Sequence, residues 1–294
     1  MPKLTVMMPA LNAARTIESA VRSTLRAMPN DSELLIWDDG SVDSTGDRVE
    51  AIADNRIRLV RSETSVGGGE ARRRMIAGTD SDLVASMDAD DLCMPWRFRA
   101  QIPALQGADL VFGSVVRFGD SIRQLRPSAP FAYNPFDASA ALLFHSAFSH
   151  PTALMRRAAI VEAGNYSDLR VAQDYELWLR LAAQGANIRK VARPVVAYRQ
   201  SQSQVSRSEG YTERVRSQAQ LGISYSAAAE RFFGDTPRWR EFAKPTTERE
   251  LDAVGLANDL ASLIPKLSLQ LRRHYGKHLS RGRTTMFGAS PWPV

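Results

Sequence analysis

Short apolar runs alternate with helical patterns over roughly residues 1 to 115. "LTVMMP" reads as a strand, and Ile17, Ala20, Val21, Thr24, Leu25 and Met28 then recur at helical spacing. "ELLIW" is a second strand, broken at once by Asp38-Asp39-Gly40-Ser41, after which Val49 and Ile52 mark a helix. "IRLV" is a third strand, "VGGGEARRRMIAG" a glycine-led turn entering a helix, and "DLVASM" a fourth strand. This alternation predicts an α/β fold with a mostly parallel sheet flanked by helices. Ligands of such sheets collect at the carboxyl ends of the strands. Asp38-Asp39 and the run Asp88 to Asp91 each follow a strand directly, so both are expected to face one crevice.

The middle of the chain is more mixed. "ADLVFGSVVRFGD" reads as strand, turn and strand, and the stretch from Pro127 to Pro135 as a loop. "ASAALLFHSAF" and "RRAAIVEAG" read as helices, with Gly164 stopping the second. In "QDYELWLRLAAQG" Leu177, Trp178 and Leu181 mark an apolar side and Gly185 an end. "IRKVARPVVAYR" is extended, with an interruption at Pro194. From about Tyr211 the pattern is helical, with breaks near Pro237, Pro245 and Pro265. The expected division is therefore residues 1–207 followed by a helical C-terminal extension over 208–294.

Composition narrows the class. With 44% hydrophobic and 24% charged residues the chain is an ordinary globular protein, and no apolar run approaches the length of a membrane span. The N-terminal stretch lacks a secretory pattern, and Cys93 is the single cysteine, which excludes an internal disulfide and a thiolate zinc site. A cytoplasmic setting is expected. The net charge of +6 resides in the tail: Lys266, Arg272, Arg273, Lys277, Arg281 and Arg283 are basic, and no acidic residue follows Leu260. Such a tail suits anionic lipid, a polyanionic acceptor or plain solvent. Nucleic acid is disfavoured, because the basic residues are bunched and only Tyr275, Phe287 and Trp292 interleave with them. Leu263, Ile264, Leu267, Leu271 and Leu279 fall partly at helical spacing. They allow either a peripheral contact at the inner face of the membrane or a helix packed on the body or in a homo-oligomer. No G-x-G-x-x-G follows the first strand, which argues against a dinucleotide dehydrogenase.

The candidate chemistry lies in carboxylates. Asp88, Asp90 and Asp91 crowd the end of the fourth strand, and oxygen ligands so arranged suit a hard divalent ion, Mn²⁺ or Mg²⁺. A D-x-D triplet alone is a weak signal, and Asp91 could instead cap a helix starting in "LCMPWRF". Likewise "DDGS" could be only a tight turn, and Asp174 only a first-turn carboxylate favoured by the helix dipole.

Taken together, "TVMMPALNAARTIESAVRSTL", "LLIWDDGSVDST", "VGGGEARRRMIAG", "LVASMDADD" and "QDYELWLRLAAQG" resemble, in order and spacing, the motifs of family 2 glycosyltransferases. "HPTALMRRAAIVEAGNYSD" and "VAYRQSQSQVS" are similar to later motifs of bacterial members, so the resemblance spans about residues 3 to 206. It implies a GT-A, Rossmann-like fold with a nucleotide-binding half (1–115) and an acceptor-side half (116–207). It also implies an inverting, metal-dependent hexosyl- or N-acetylhexosaminyltransferase. The donor would be a nucleotide sugar, expected to be a UDP-sugar, and the acceptor a glycan or lipid-linked saccharide of cell-envelope polysaccharide synthesis. By the same resemblance Pro9, Ala10 and Asn12 would lie against the base and Asp39 would accept from a uracil-type N–H. Arg72 would lie near base and diphosphate, Asp88 would take the ribose, and Asp90 with Asp91 the metal. Asp174 would be the catalytic base, with Glu176 a weaker substitute.

Three departures from the family pattern leave a catalytically silent, ligand-binding domain as the alternative. Leu11 stands where relatives often carry an aromatic residue, Gln173 where Glu is common, and Ser201 where His is frequent. Trp96 is a candidate sugar platform and His150 a candidate acceptor-side residue, whereas Phe144, Phe148 and Trp178 are expected in the core.

Overall fold

The computed structural model describes residues 3–119, 126–128, 130–200, 209–244, 248 and 252–280. Its first part is β1 (Leu4–Ala10), α1 (Ile17–Ala27), β2 (Ser32–Asp38), α2 (Thr45–Glu50), β3 (Ile57–Arg61), α3 (Gly68–Ala77), β4 (Leu83–Ser86), β5 (Leu92–Cys93) and α4 (Arg97–Ala104). There follow β6 (Leu110–Phe118), β7 (Arg126–Pro127), α5 (Pro135–Phe144), β8 (Leu154–Arg156), α6 (Arg157–Glu162), α7 (Gln173–Ala183) and β9 (Ile188–Arg199). The extension holds α8 (Tyr211–Arg216), α9 (Ala219–Phe233), α10 (Pro237–Arg240), α11 (Ala253–Leu263) and α12 (Leu269–Ser280).

One sheet runs through the molecule in the order β3-β2-β1-β4-β8-β6-β9-β5, with β7 against β6. β3, β2, β1 and β4 are all parallel, as the alternation predicted. Beyond β4 the sheet is mixed: β8 runs antiparallel to β4 and β6, whereas β6 and β9 pair in parallel. The register places Ala10 beside Asp38, and Met7 beside Ser86, so the chain leaves β1, β2 and β4 along one edge. Both acidic segments begin there.

Each central strand is buried on both faces, which is why it reads as an unbroken apolar run. Met7, Leu35 and Val84 face a core shared with α3, α5, α7 and the C-terminal helices. Val6, Met8, Ile36 and Ala85 face the opposite core under α1, α2 and α4. β6 is a single strand and not the expected strand–turn–strand. Its register shifts around Gly113, where an added Cβ would sit 2.3 Å from a Val195 methyl. Glycine thus admits the irregular β9 segment at Pro194 without a turn.

The helices after residue 209 pack on the body. Ser224 of α9 donates to Glu176 (2.7 Å), Tyr225 to the Leu143 carbonyl (2.7 Å), and Tyr275 stacks on Phe144 with ring centroids 4.5 Å apart. Leu263, Leu267 and Leu271 are buried in the shared core, while Lys266, Arg272 and Arg273 are exposed. Arg281, Arg283, Phe287 and Trp292 lie outside the described residues, as does Ser201. No helix among the described residues is long and apolar enough to cross a membrane.

Candidate active site

A cleft of about 1180 Å³ opens at the strand-end edge. Of the residues singled out in the sequence, Pro9, Asn12, Arg72, Asp88, Asp90 and Asp174 line it. Asn12 adopts a left-handed backbone (φ 50°), which asparagine tolerates better than most residues. Its amide donates to Ser41 Oγ (2.9 Å) and its side-chain oxygen accepts from the Val42 amide (3.0 Å), tying the β1 exit to the "DDGS" turn.

The acidic cluster brings one oxygen from each of Asp88, Asp90 and Asp91 within 4.8 Å of one another. Asp88 is answered by Arg72, whose Nη2 lies 3.1 Å away. Asp91 is almost wholly buried; its Oδ1 accepts from the Arg199 amide at 2.7 Å, while its Oδ2 has no hydrogen-bond partner. The cap reading of Asp91 is thereby corrected. The segment after it enters β5, and α4 starts only at Arg97, without a side-chain cap. Burial and then the neighbouring Asp88 charge push the Asp90 carboxyl up to about 6, against an ordinary 3.8. Burial and then the Asp88 and Asp90 charges raise the Asp91 carboxyl well above its ordinary value. A buried, unpartnered carboxylate oxygen beside two more carboxylates is the donor set a hard divalent cation requires, so the residues fit such an ion.

Asp174 lines the same cleft from the first turn of α7. The enclosing cleft raises its pKa, with the Tyr175 amide pulling it down and Asp88 adding to the rise. Directly before α7, Ala172 is held in a left-handed conformation (φ 56°), which is strained for alanine. That kink turns the chain into the helix with Gln173 and Asp174 facing the cleft.

The glycine triplet enters a helix and also packs it closely. Gly67 takes φ 86°, and a Cβ on Gly69 would meet the Ser167 carbonyl oxygen at 2.6 Å. α3 is thereby pressed against the loop before α7, bringing Arg72 toward the cleft.

Ala10 and Asp39 are placed differently. Ala10 is buried at the end of β1 and its carbonyl accepts from the Asp39 amide (2.8 Å). The Asp39 carboxylate lies outside the cleft lining and accepts from Ser65 Oγ (2.7 Å), the Val66 and Gly67 amides (2.9 and 3.0 Å) and Trp37 Nε1 (3.2 Å). Its acceptor positions are thus taken by the loop leading into α3 and by Trp37.

His150 lines the cleft and is also structural. It is buried, with Nε2 3.1 Å from Ser86 Oγ and 2.8 Å from the Tyr166 hydroxyl, and burial holds its pKa well below the usual range. Glu176 points away from the cleft to Arg180 and Ser224, so it is no substitute for Asp174. Trp96 is corrected too. It is absent from the cleft lining, its indole N–H donates to the Pro194 carbonyl (2.7 Å), and Arg193 covers its ring at 4.8 Å. Phe144, Phe148 and Trp178 are in the core as expected.

The cleft also holds residues that the sequence did not single out. Arg15, Arg117, Arg170, Tyr198, Arg199 and Tyr211 line it. Beneath the acidic cluster Arg97 is fully buried, donating to the carbonyls of Ser86 (2.8 Å) and Ala153 (3.1 Å). Tyr198 and Arg199 sit inside "VAYRQ" and Arg15 inside "ALNAARTIES", but nothing in those segments singled them out.

The family model described as glycosyl transferase family 2 matches residues 5–164. The chain belongs to that family. Among similar members, the amylovoran biosynthesis glycosyltransferase AmsE of Erwinia amylovora is 26% identical over 215 residues, covering 71% of this chain and 78% of that one. The succinoglycan biosynthesis protein ExoU of Rhizobium meliloti is 34% identical over 200 residues, covering 62% and 57%. An uncharacterized glycosyltransferase of Haemophilus influenzae is 28% identical over 163 residues, and the match spans 59% of its length. The crystal structure of S. aureus TarS 1-349 in complex with UDP-GlcNAc superposes with a TM-score of 0.63 over 90% of this family member and 82% of that TarS 1-349 chain. At 17% identity that likeness is one of fold.

Proposed function

We propose that the protein is an inverting, divalent-metal-dependent glycosyltransferase of polysaccharide synthesis. It would move a hexosyl or N-acetylhexosaminyl group from a UDP-sugar to a hydroxyl of a glycan or lipid-linked saccharide. The observation that carries the reading is the meeting, in one cleft, of an acidic cluster suited to a cation with a separate carboxylate, Asp174, from the first turn of α7. The donor's name is supported by the UDP and UDP-GlcNAc complexes of the structurally similar TarS. The acceptor class is supported by a 29% identical relative named for glucosyl transfer to a diphosphoundecaprenol-linked GlcNAc.

In this mechanism Pro9 and Asn12 flank the base, and Asp39 acts through the 65–67 loop that it holds. A direct bond from Asp39 to a uracil N–H would need one of its four present donors to leave. Asp88, steadied by Arg72, takes the ribose. Asp90 and Asp91 would hold the Mn²⁺ or Mg²⁺, which supplies charge neutralisation for the departing diphosphate. Asp174 takes the proton of the acceptor hydroxyl as its oxygen bonds to the anomeric carbon and the diphosphate oxygen leaves from the opposite face. Its raised pKa makes it a better base than an exposed aspartate. Residues 1–207 would form the catalytic unit, and the described helices after residue 209 buttress α7, as through Ser224 on Glu176. Because Leu263, Leu267 and Leu271 are buried while Lys266, Arg272 and Arg273 are exposed, a contact with the inner face of a membrane would be made chiefly by these cations.

Thermal-shift measurement with nucleoside diphosphates and their sugars tests this reading. UDP and UDP-sugars are expected to stabilise the protein in Mn²⁺, with reversal by EDTA. A flat response to every nucleotide in the presence of Mn²⁺ would refute it.

A further inference from the structure

Five arginines line the cleft: Arg15, Arg72, Arg117, Arg170 and Arg199. Two are engaged with the acidic cluster. Arg72 pairs with Asp88, and Arg199 donates through its amide to Asp91 and through Nε to the Asp90 carbonyl (2.8 Å). Arg15 lies in the segment after β1, beside Asn12, on the nucleotide side. Arg117 and Arg170 remain. Among the described residues neither side chain has an ion pair or a hydrogen bond. The diphosphate of a nucleotide sugar and one divalent ion cancel each other's charge, so the donor does not call for two more cations.

Their positions point to the other substrate. Arg170 is on the loop that enters α7, four residues before Asp174. Arg117 is the register partner of Tyr198 on the parallel β6–β9 ladder, so their side chains leave the same face of the sheet about 5 Å apart. Tyr198 lines the same cleft as Asp88, Asp90 and Asp174. A tyrosine ring there offers a sugar a flat apolar face, and a neighbouring guanidinium offers its substituent a two-pronged donor.

We propose that the acceptor is an anionic saccharide, its phosphate or carboxylate received by Arg117 and Arg170 and its sugar ring set against Tyr198. This rests on the glycosyltransferase reading and narrows its acceptor. The test is calorimetric titration of the protein saturated with UDP and Mn²⁺, using glucose 1-phosphate, glucuronate, methyl glucoside and inorganic phosphate as probes. An acidic sugar is expected to bind at least about tenfold more tightly than methyl glucoside and than phosphate alone. Which acidic sugar binds better distinguishes a phosphate-bearing acceptor from a uronic acid. In the R117Q/R170Q double variant that affinity falls by about tenfold or more, while the UDP Kd stays within about twofold. Equal binding of neutral and acidic sugars, failure of acidic sugars to bind, or phosphate binding as tightly as sugar phosphate overturns the inference. So does unchanged acidic-sugar affinity in the double variant. Loss of UDP affinity in that variant assigns the arginines to the donor and also overturns it. A wild-type protein that binds no UDP in Mn²⁺ is a different failure, because it removes the glycosyltransferase reading itself.

Discussion

Asp90→Asn should stabilise the metal-free protein and abolish its stabilisation by Mn²⁺. In the folded chain the Asp90 carboxyl titrates at about 6, against an ordinary 3.8, because burial and Asp88 disfavour its anion. For an acid whose folded pKa is raised, no penalty exists below the unfolded value; it grows through the interval and is complete above the folded value. Between about pH 4 and pH 6 the metal-free protein therefore loses stability as this group ionises, by roughly 3 kcal/mol if all of the shift counts. Asp90 is partly exposed to the cleft, and solvent screening reduces this to about 2 kcal/mol. Asparagine keeps the shape and drops the charge. At pH 7 in EDTA the variant should melt about 4 °C higher than wild type. At pH 4 the difference should vanish, since both side chains are then neutral. With Mn²⁺ at 100 times its Kd the wild type gains about 2.7 kcal/mol, and the order of the two proteins reverses. A variant less stable than wild type in EDTA at pH 7 would refute the electrostatic reasoning. So would an advantage that persists at pH 4, or an equal response of both proteins to Mn²⁺.

Asp174→Asn should lower sugar transfer by about 10² to 10⁴-fold through loss of general base catalysis, with UDP affinity by calorimetry unchanged. Glu176→Ala should cost about 3 kcal/mol in urea unfolding, because Arg180 and Ser224 lose a buried partner, and should leave UDP affinity unchanged as well. Together the two substitutions separate the cleft-facing carboxylate of α7 from the core-facing one. Ala172→Gly should raise stability by up to about 1 kcal/mol in the same assay, since glycine accepts φ 56° without a Cβ clash. Gly69→Ala should lower stability by about 1 to 3 kcal/mol, because its methyl would drive into the Ser167 carbonyl.

How far the sequence could be read depended on what each element buries. β1, β2 and β4 lie between two cores and appear as apolar runs, so their order and their shared edge were legible. β5 and β7 have two residues each and β8 three, too short for any period to show. Asp88 and Asp90 were legible as cleft residues from their strand end, whereas Asp174, at a helix start, stood out only through the family resemblance; all three line the cleft. Asp39 was only half legible. Its strand end could be read, but its carboxylate turns to Ser65, Val66 and Gly67, which lie 26 to 28 residues away. Arg117 and Tyr198 meet only through the β6–β9 register, and that register shifts twice around Gly113 and Pro194.

The leucines of the extension show the remaining limit. An apolar stripe flanked by Lys and Arg suits a membrane surface and the outside of an enzyme equally, because a helix hides the same area of hydrocarbon in either case. What separates the two is whether a complementary surface exists on the body. Here α5 supplies one: Phe144 stacks under Tyr275, and Asp137 accepts from the Ser268 amide at 2.9 Å, fixing the entry into α12. With Leu263, Leu267 and Leu271 committed to that surface, the extension leaves Lys266, Arg272 and Arg273 in solvent and backs the helix that carries Asp174. Its consequence for function is therefore sought first in the position of α7 and only second in attachment to a lipid surface.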